Sequence, residues 1–236
     1  MGIWKKIQDR LERLPVEREA RLRVLDQDKI SFFIEGRENR LKIENISSGG
    51  IAIPRSEIST AQIDQIISGQ ILISDEEAFA LEAKVVHLST YIIGMSFRLE
   101  TRELSKNLAQ YFRAEMIGAR LRLVDKKYLQ TPQNGEPMWL TDGHDNELYV
   151  VFNKEGILNF HMSFLGHYIE GSMGKRTLVG QLAAKTQDRK QNMQSESDLI
   201  IFNDDAREET LKLAREYVMN AAGIPAGRLE QLLKFL

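Results

Sequence analysis

The stretch LKIENISSGGIAIP, Leu41 to Pro54, decides how the first half of this chain is read. Up to Glu44 apolar and polar residues alternate, and Ile51 and Ile53 resume the alternation until Pro54 ends it. A period of two is that of a strand with one buried face. Between the two arms lie Asn45, Ile46, Ser47, Ser48, Gly49 and Gly50, an amide, two hydroxyls and two adjacent glycines. Asn, Ser and Gly are the ordinary residues of tight turns, so on its own the stretch reads as strand, turn, strand. The same residues have a second use. Glycines without a Cβ let a ligand or another backbone come close, while Asn45 offers a donor and an acceptor and Ser47 a hydroxyl.

Outward from the turn the period of two continues. LRVLDQ, KISFFIEG, GQILIS, AFALEAKVVHLS and YIIGMSFRLE are rich in Ile, Val, Phe and Leu and are broken by turn-type residues. Short strands at this spacing predict a small antiparallel barrel or sandwich. Residues 55–67 read as helical or loop-like. After residue 100 the period changes: TRELSKNLAQYFRAEMIGARL sets Leu104, Leu108, Tyr111, Phe112 and Ala119 on one side, predicting a helix that closes the first unit. At the other end, Ile3, Trp4, Ile7, Leu11 and Leu14 share one face of an amphipathic helix that Pro15 stops. Such a helix is expected to pack on its own domain; contact with a membrane surface is the lesser reading.

Just before the first strand, VEREARLRVL brings Arg18, Arg21 and Arg23 together, interleaved with Glu17 and Glu19. Guanidinium groups take phosphate through paired hydrogen bonds, dock on the O6/N7 edge of guanine and stack on flat bases. Any one of these arginines is an ordinary solvated residue. Three of them beside an Asn/Ser/Gly turn are the chemistry that a guanine nucleotide phosphodiester requires.

At this point the first half resembles a PilZ domain, the bacterial receptor module for cyclic di-GMP. Asn45-x-Ser47-x-x-Gly50 matches the family's [D/N]-x-S-x-x-G motif, and IIGMSFRLE, with Gly94 and Phe97, is similar to its last barrel strand. The arginine arm and the closing helix stand in the family's order, and the likeness spans residues 18–123. The resemblance implies a barrel whose arm folds over cyclic di-GMP, with Arg18, Arg21 and Arg23 on phosphates and the Hoogsteen edge. It further implies Asn45 and Ser47 on a guanine edge, with Gly49 and Gly50 leaving it room. One departure stands out. The family's arm reads R-x-x-x-R; Arg23 fits the second position, but Glu19 occupies the first, and a carboxylate beside phosphates is repulsive. The only strict R-x-x-x-R, Arg98 to Arg102, lies at the far end of the barrel and is given no role.

TPQNGEP, at 131–137, is turn-rich and reads as a linker. The division expected is an N-terminal helix over 1–15, the barrel with its closing helix over 16–125, a linker over 126–137 and an α+β unit over 138–236. In the last, MWLTD, ELYVVFN, GILNFHMSF, HYIEGS, RTLVGQL and LIIFND read as strands joined by tight turns, with a polar loop at 186–198. Two helices end the chain, the first acidic at its start and stopping near Gly223, the second with Pro225 in its first turn. The fold class expected is therefore α+β: an antiparallel barrel, then an antiparallel sheet with two terminal helices.

Chemistry is sparse in this second half. Asp142, His144, Asp145 and Glu147 share a loop but lack the spacing of a calcium-binding loop. His144, His161 and His167 are not at zinc-site spacing, and GSMGKRT at 171–177 is too short for a phosphate-binding loop. The chain has 236 residues and no cysteine, which excludes disulfides, thiolate metal sites and Cys nucleophiles. A net charge of −2 argues against a nucleic-acid polymer as partner. No apolar run approaches a membrane span and the N-terminus lacks the core of a secretory signal, so a cytoplasmic protein is expected. The function expected is a cyclic di-GMP-responsive adaptor without enzymatic activity, acting on a protein partner through its second unit, with a homodimer as one option. The alternatives are an interaction module of the same fold that does not bind the nucleotide and, far behind, an enzyme with its site around Asp142–Glu147.

Overall fold

The computed structural model describes residues 21–74, 77–98, 102–130, 132, 134–182 and 200–236. The helix expected over 1–15, Arg18 with Glu19, and the polar loop expected over 186–198 lie outside these residues.

Eight strands form the first sheet: β1 (Leu22–Arg23), β2 (Ile30–Ile34), β3 (Arg40–Leu41), β4 (Asn45–Ser47), β5 (Gly50–Pro54), β6 (Ile66–Ile73), β7 (Glu77–Leu88) and β8 (Ile92–Phe97). They are antiparallel, in the order β1-β4-β5-β8-β7-β6-β2-β3. The order explains the curl. β3 sits at one edge, yet the short link 42–44 carries the chain from it into β4, next to the opposite edge. A residue spans at most about 3.6 Å, so the two edges must lie close together. Gln27 stitches the seam: its side-chain amide donates to the Ile43 carbonyl and its oxygen accepts from the Ile43 N–H, both at 3.1 Å. Among the described residues no ladder joins β1 to β3, and the sheet is a half-barrel. Ile30, Phe32, Ile43, Ile46, Ile53 and Ile71, none of them exposed, fill it.

Two helical segments cap this core where one was expected, α1 (Arg102–Tyr111) and α2 (Arg113–Arg120). They part at Phe112, which leaves helical geometry (φ −112°, ψ 37°) to bury its ring in the first core.

Seven strands form the second sheet: β9 (Arg122–Leu123), β10 (Glu136–Thr141), β11 (Glu147–Phe152), β12 (Ile157–Phe164), β13 (His167–Ser172), β14 (Leu178–Leu182) and β15 (Ile200–Phe202). They follow one another as an antiparallel meander. Residues 124–135 connect β9 to β10, so the segment read as a linker over 126–137 lies within this sheet's connection and its last two residues belong to β10. Leu148, Val150, Phe160, Met162 and Phe164 alternate onto the inner face and pack on α3 (Arg207–Asn220) and α4 (Ala226–Leu233), through Leu211, Ala214, Tyr217, Val218 and Leu232. Among the described residues no helix is long and apolar enough to cross a membrane.

The two halves meet along α2 and α3. A Cβ on Gly118 would sit 2.0 Å from the Tyr217 backbone oxygen, so only glycine permits this crossing. Lys29, just ahead of β2, reaches into the junction and donates to Glu115 on α2 at 2.7 Å and to Glu216 on α3 at 3.1 Å. Its ammonium also lies 4.7 Å from the centre of the Phe112 ring. Nearby, Lys212 pairs with Asp26 at 2.6 Å.

Candidate functional site

β1 and β4 bring the arm and the turn together. Arg23 is the register partner of Asn45, and Leu22 that of Ile46. Leu22 and Ile46 are buried in the first core; side chains alternate along a strand, so Arg23 and Asn45 share the outer face. Ser47, two residues on in β4, follows along that face, and Arg21 directly precedes β1. Directly opposed residues have Cβ atoms about 4.5–5.5 Å apart, close enough for one ligand to touch both. Arg21 and Arg23 are exposed, and neither guanidinium has a hydrogen bond or ion pair among the described residues. The Asn45 amide is likewise unengaged there, and the Ser47 hydroxyl makes one long contact, 3.5 Å, to the Gly50 carbonyl.

The backbone beneath Arg23 is held firmly. The Asn220 side chain, at the end of α3, accepts from the Arg23 N–H at 2.7 Å and donates to the Arg23 carbonyl at 3.3 Å. It replaces the ladder partner that an edge strand lacks. The arm strand is thereby tied to an element of the second core.

The glycines have a different explanation from the one a ligand would supply. A Cβ on Gly50 would stand 2.2 Å from the Met95 carbonyl oxygen of β8, so the strand itself occupies the room. Gly49 offers its carbonyl to the Phe97 N–H at 2.9 Å. Gly94 and Phe97 lie in β8, opposite Ala52 and Ala83. Arg98 pairs with Glu82 at 3.0 Å and directly follows Phe97, so its backbone stands beside the turn and not at the far end of the barrel.

A cleft of about 310 Å³ opens where the turn meets the helices. Leu22, Leu108 and Met116 form its apolar floor, and Ser47, Ser48, Ser105 and Arg120 its polar rim. Ser105 and Arg120 were not foreseen, because on a helical wheel they are ordinary surface positions. A larger groove, about 620 Å³, runs over β2, β6 and β7 beside Gly69 and contains none of the motif residues.

Among the described residues the second half offers no comparable set. The Asp142 carboxylate accepts from the His144 N–H at 2.9 Å and from the Asn146 side chain at 2.6 Å, closing the β10–β11 turn. Among the described residues no three His, Cys, Asp or Glu side chains are grouped to hold a metal. His161 stacks on Tyr149 with ring centres 5.1 Å apart, and His167 lies against Phe164, where burial pushes its pKa down. Gly174, in the turn between β13 and β14, takes φ +72°.

No family model matches the chain, and no curated protein does. Among solved structures, an uncharacterised Legionella protein is similar at 20% identity over 38% of this chain and 90% of its own, with a TM-score of 0.32. A likeness at that level carries no conclusion about fold or function.

Proposed function

We propose that this protein is a cyclic di-GMP-responsive adaptor of the PilZ type, cytoplasmic and without catalysis of its own. The reading rests first on the sequence motif and second on one structural fact, the register of Arg23 opposite Asn45, with Ser47 two residues on in the same strand as Asn45. Arg23, Asn45 and Ser47, none strongly engaged among the described residues, match the needs of a guanine edge and a phosphodiester. Arg18 and Arg21 would add further guanidinium groups from the arm. A ligand that bridges arm and turn pulls on β1, and through Asn220 that pull reaches α3 and the second unit. The output is then a protein partner bound through that unit, a second copy included. Only a difference in affinity between two arrangements can drive such a response.

Isothermal titration with cyclic di-GMP tests the reading. The expected result is saturable heat in the wild type and an affinity at least about tenfold weaker in Arg23→Ala and in Asn45→Ala, the loss of one charge-assisted or well-formed hydrogen bond each. A flat titration at high ligand concentration rejects the sensor. Two observations favour the second reading, an interaction module of the same fold that ignores the nucleotide: Glu19 in the arm, and Gly50, which the β8 backbone explains without a ligand. If Glu19→Arg turns a silent protein into a binder, that second reading is the natural state.

A further inference from the structure

The cleft beside the turn holds a guanidinium that the sequence motif does not include. Arg120 is the last residue of α2 and shares the cleft with Ser47 and Ser48. Among the described residues its side chain has no hydrogen bond or ion pair, and a cation at a helix C-terminus is favoured by the helix dipole. Among the described residues no carboxylate lines the cleft. An aliphatic floor with hydroxyls and one guanidinium on the rim suits a flat ring that carries an anionic group. The ring removes apolar surface from water against Leu22, Leu108 and Met116, and the guanidinium forks onto the anion. At about 310 Å³ the space is at the small end of ligand pockets, which begin near roughly 300 Å³. It accommodates one base with its phosphate, not a stacked pair.

We infer that Arg120 is a phosphate-binding residue, seating one guanine–phosphate half of cyclic di-GMP in the cleft while Arg23 and Asn45 hold the other half outside. This rests on the nucleotide-sensing reading above and adds to it a residue from outside the arm. Ser47 belongs to both subsites, since it follows Asn45 on the outer face and also lines the cleft. The consequence is mechanical. α2 packs on α3 at Gly118, so a ligand on Arg120 bears directly on the helix pair between the two cores.

The test is titration of full-length protein with cyclic di-GMP for wild type, Arg120→Ala, Arg120→Lys and Ser105→Phe. Arg120→Ala is expected to weaken binding about tenfold or more and to shift thermal unfolding only slightly, by the lost helix-dipole contact, because among the described residues the side chain has no hydrogen bond or ion pair to lose. Arg120→Lys, which keeps the charge without the fork, should fall between. Ser105→Phe fills the cleft without touching a charge and should weaken binding too. Wild-type affinity in Arg120→Ala or in Ser105→Phe overturns the inference and leaves the Arg23–Asn45 reading intact. Absence of binding by the wild type overturns both.

Discussion

At Gly50 two explanations of one residue separate cleanly. A motif reading makes its bare Cα a concession to a ligand, but the Met95 carbonyl oxygen already occupies the place of a Cβ at 2.2 Å. That oxygen belongs to a backbone paired on both sides, by β5 and by β7, and has little freedom to retreat. Gly50→Ala should therefore destabilise the fold by about 1–3 kcal/mol, as overpacking does, measured by urea unfolding without any ligand. Gly49 is exposed, and Gly49→Ala should cost clearly less. Equal stability of Gly50→Ala and the wild type would return the residue to the ligand. The sequence displayed the glycines plainly but not their reason, since β8 lies far along the chain.

Strand β1 poses the problem of an element too short to hold itself. It has two residues and sits at a sheet edge. Its apolar Leu22 and the alternation around it were legible as a strand. What keeps it in place was not, because Asn220 stands at the far end of the chain, in a segment that reads only as the end of a helix. Asn220→Ala leaves the Arg23 N–H and carbonyl without their partner, expected to cost about 1–3 kcal/mol. The diagnostic readout is amide hydrogen exchange at Arg23, which should accelerate well beyond that of its neighbours in β4. Unchanged exchange there would mean that the β1–β4 ladder suffices and that α3 does not restrain the arm.

Across the whole molecule, Lys29 is the charged pin of the junction. Its partners Glu115 and Glu216 have side chains only 2% and 4% exposed, too little for water to replace a lost cation. Lys29→Met should cost about 3–5 kcal/mol near neutral pH, the penalty of breaking a buried pair from one side. The cost should shrink as the solution is acidified. Burial raises the Glu115 pKa above the usual value of 4.5, while its hydrogen bond from Lys29 pulls the other way. The folded state then holds more protons than the unfolded one between 4.5 and the raised value. Stability from this group is full below that window and is lost as pH rises through it. Removing Lys29 removes the downward pull and widens the window. Urea unfolding of both proteins at a series of pH values reads the difference. A cost that stays constant down to the ordinary glutamate range would show that Glu115 keeps its charge in the variant.

By itself the sequence determined the local order: alternating strands, a turn within 45–50, which the structure confines to Ser48 and Gly49, a closing helical region, a second run of strands and two terminal helices. These depend on periodicity and on turn and cap residues, information that lies within a few positions of each element. It also marked Asn45, Ser47, Arg21 and Arg23 as polar groups in search of a use. Tertiary structure alone decided that Arg23 stands opposite Asn45, that Arg120 and Ser105 line the same cleft as Ser47, and that α2 serves both cores. It decided as well that Gly50 and Gly118 are bare because another backbone lies against them. Such facts are contacts between segments distant in sequence, set by how whole faces pack, and no local pattern encodes which partner arrives.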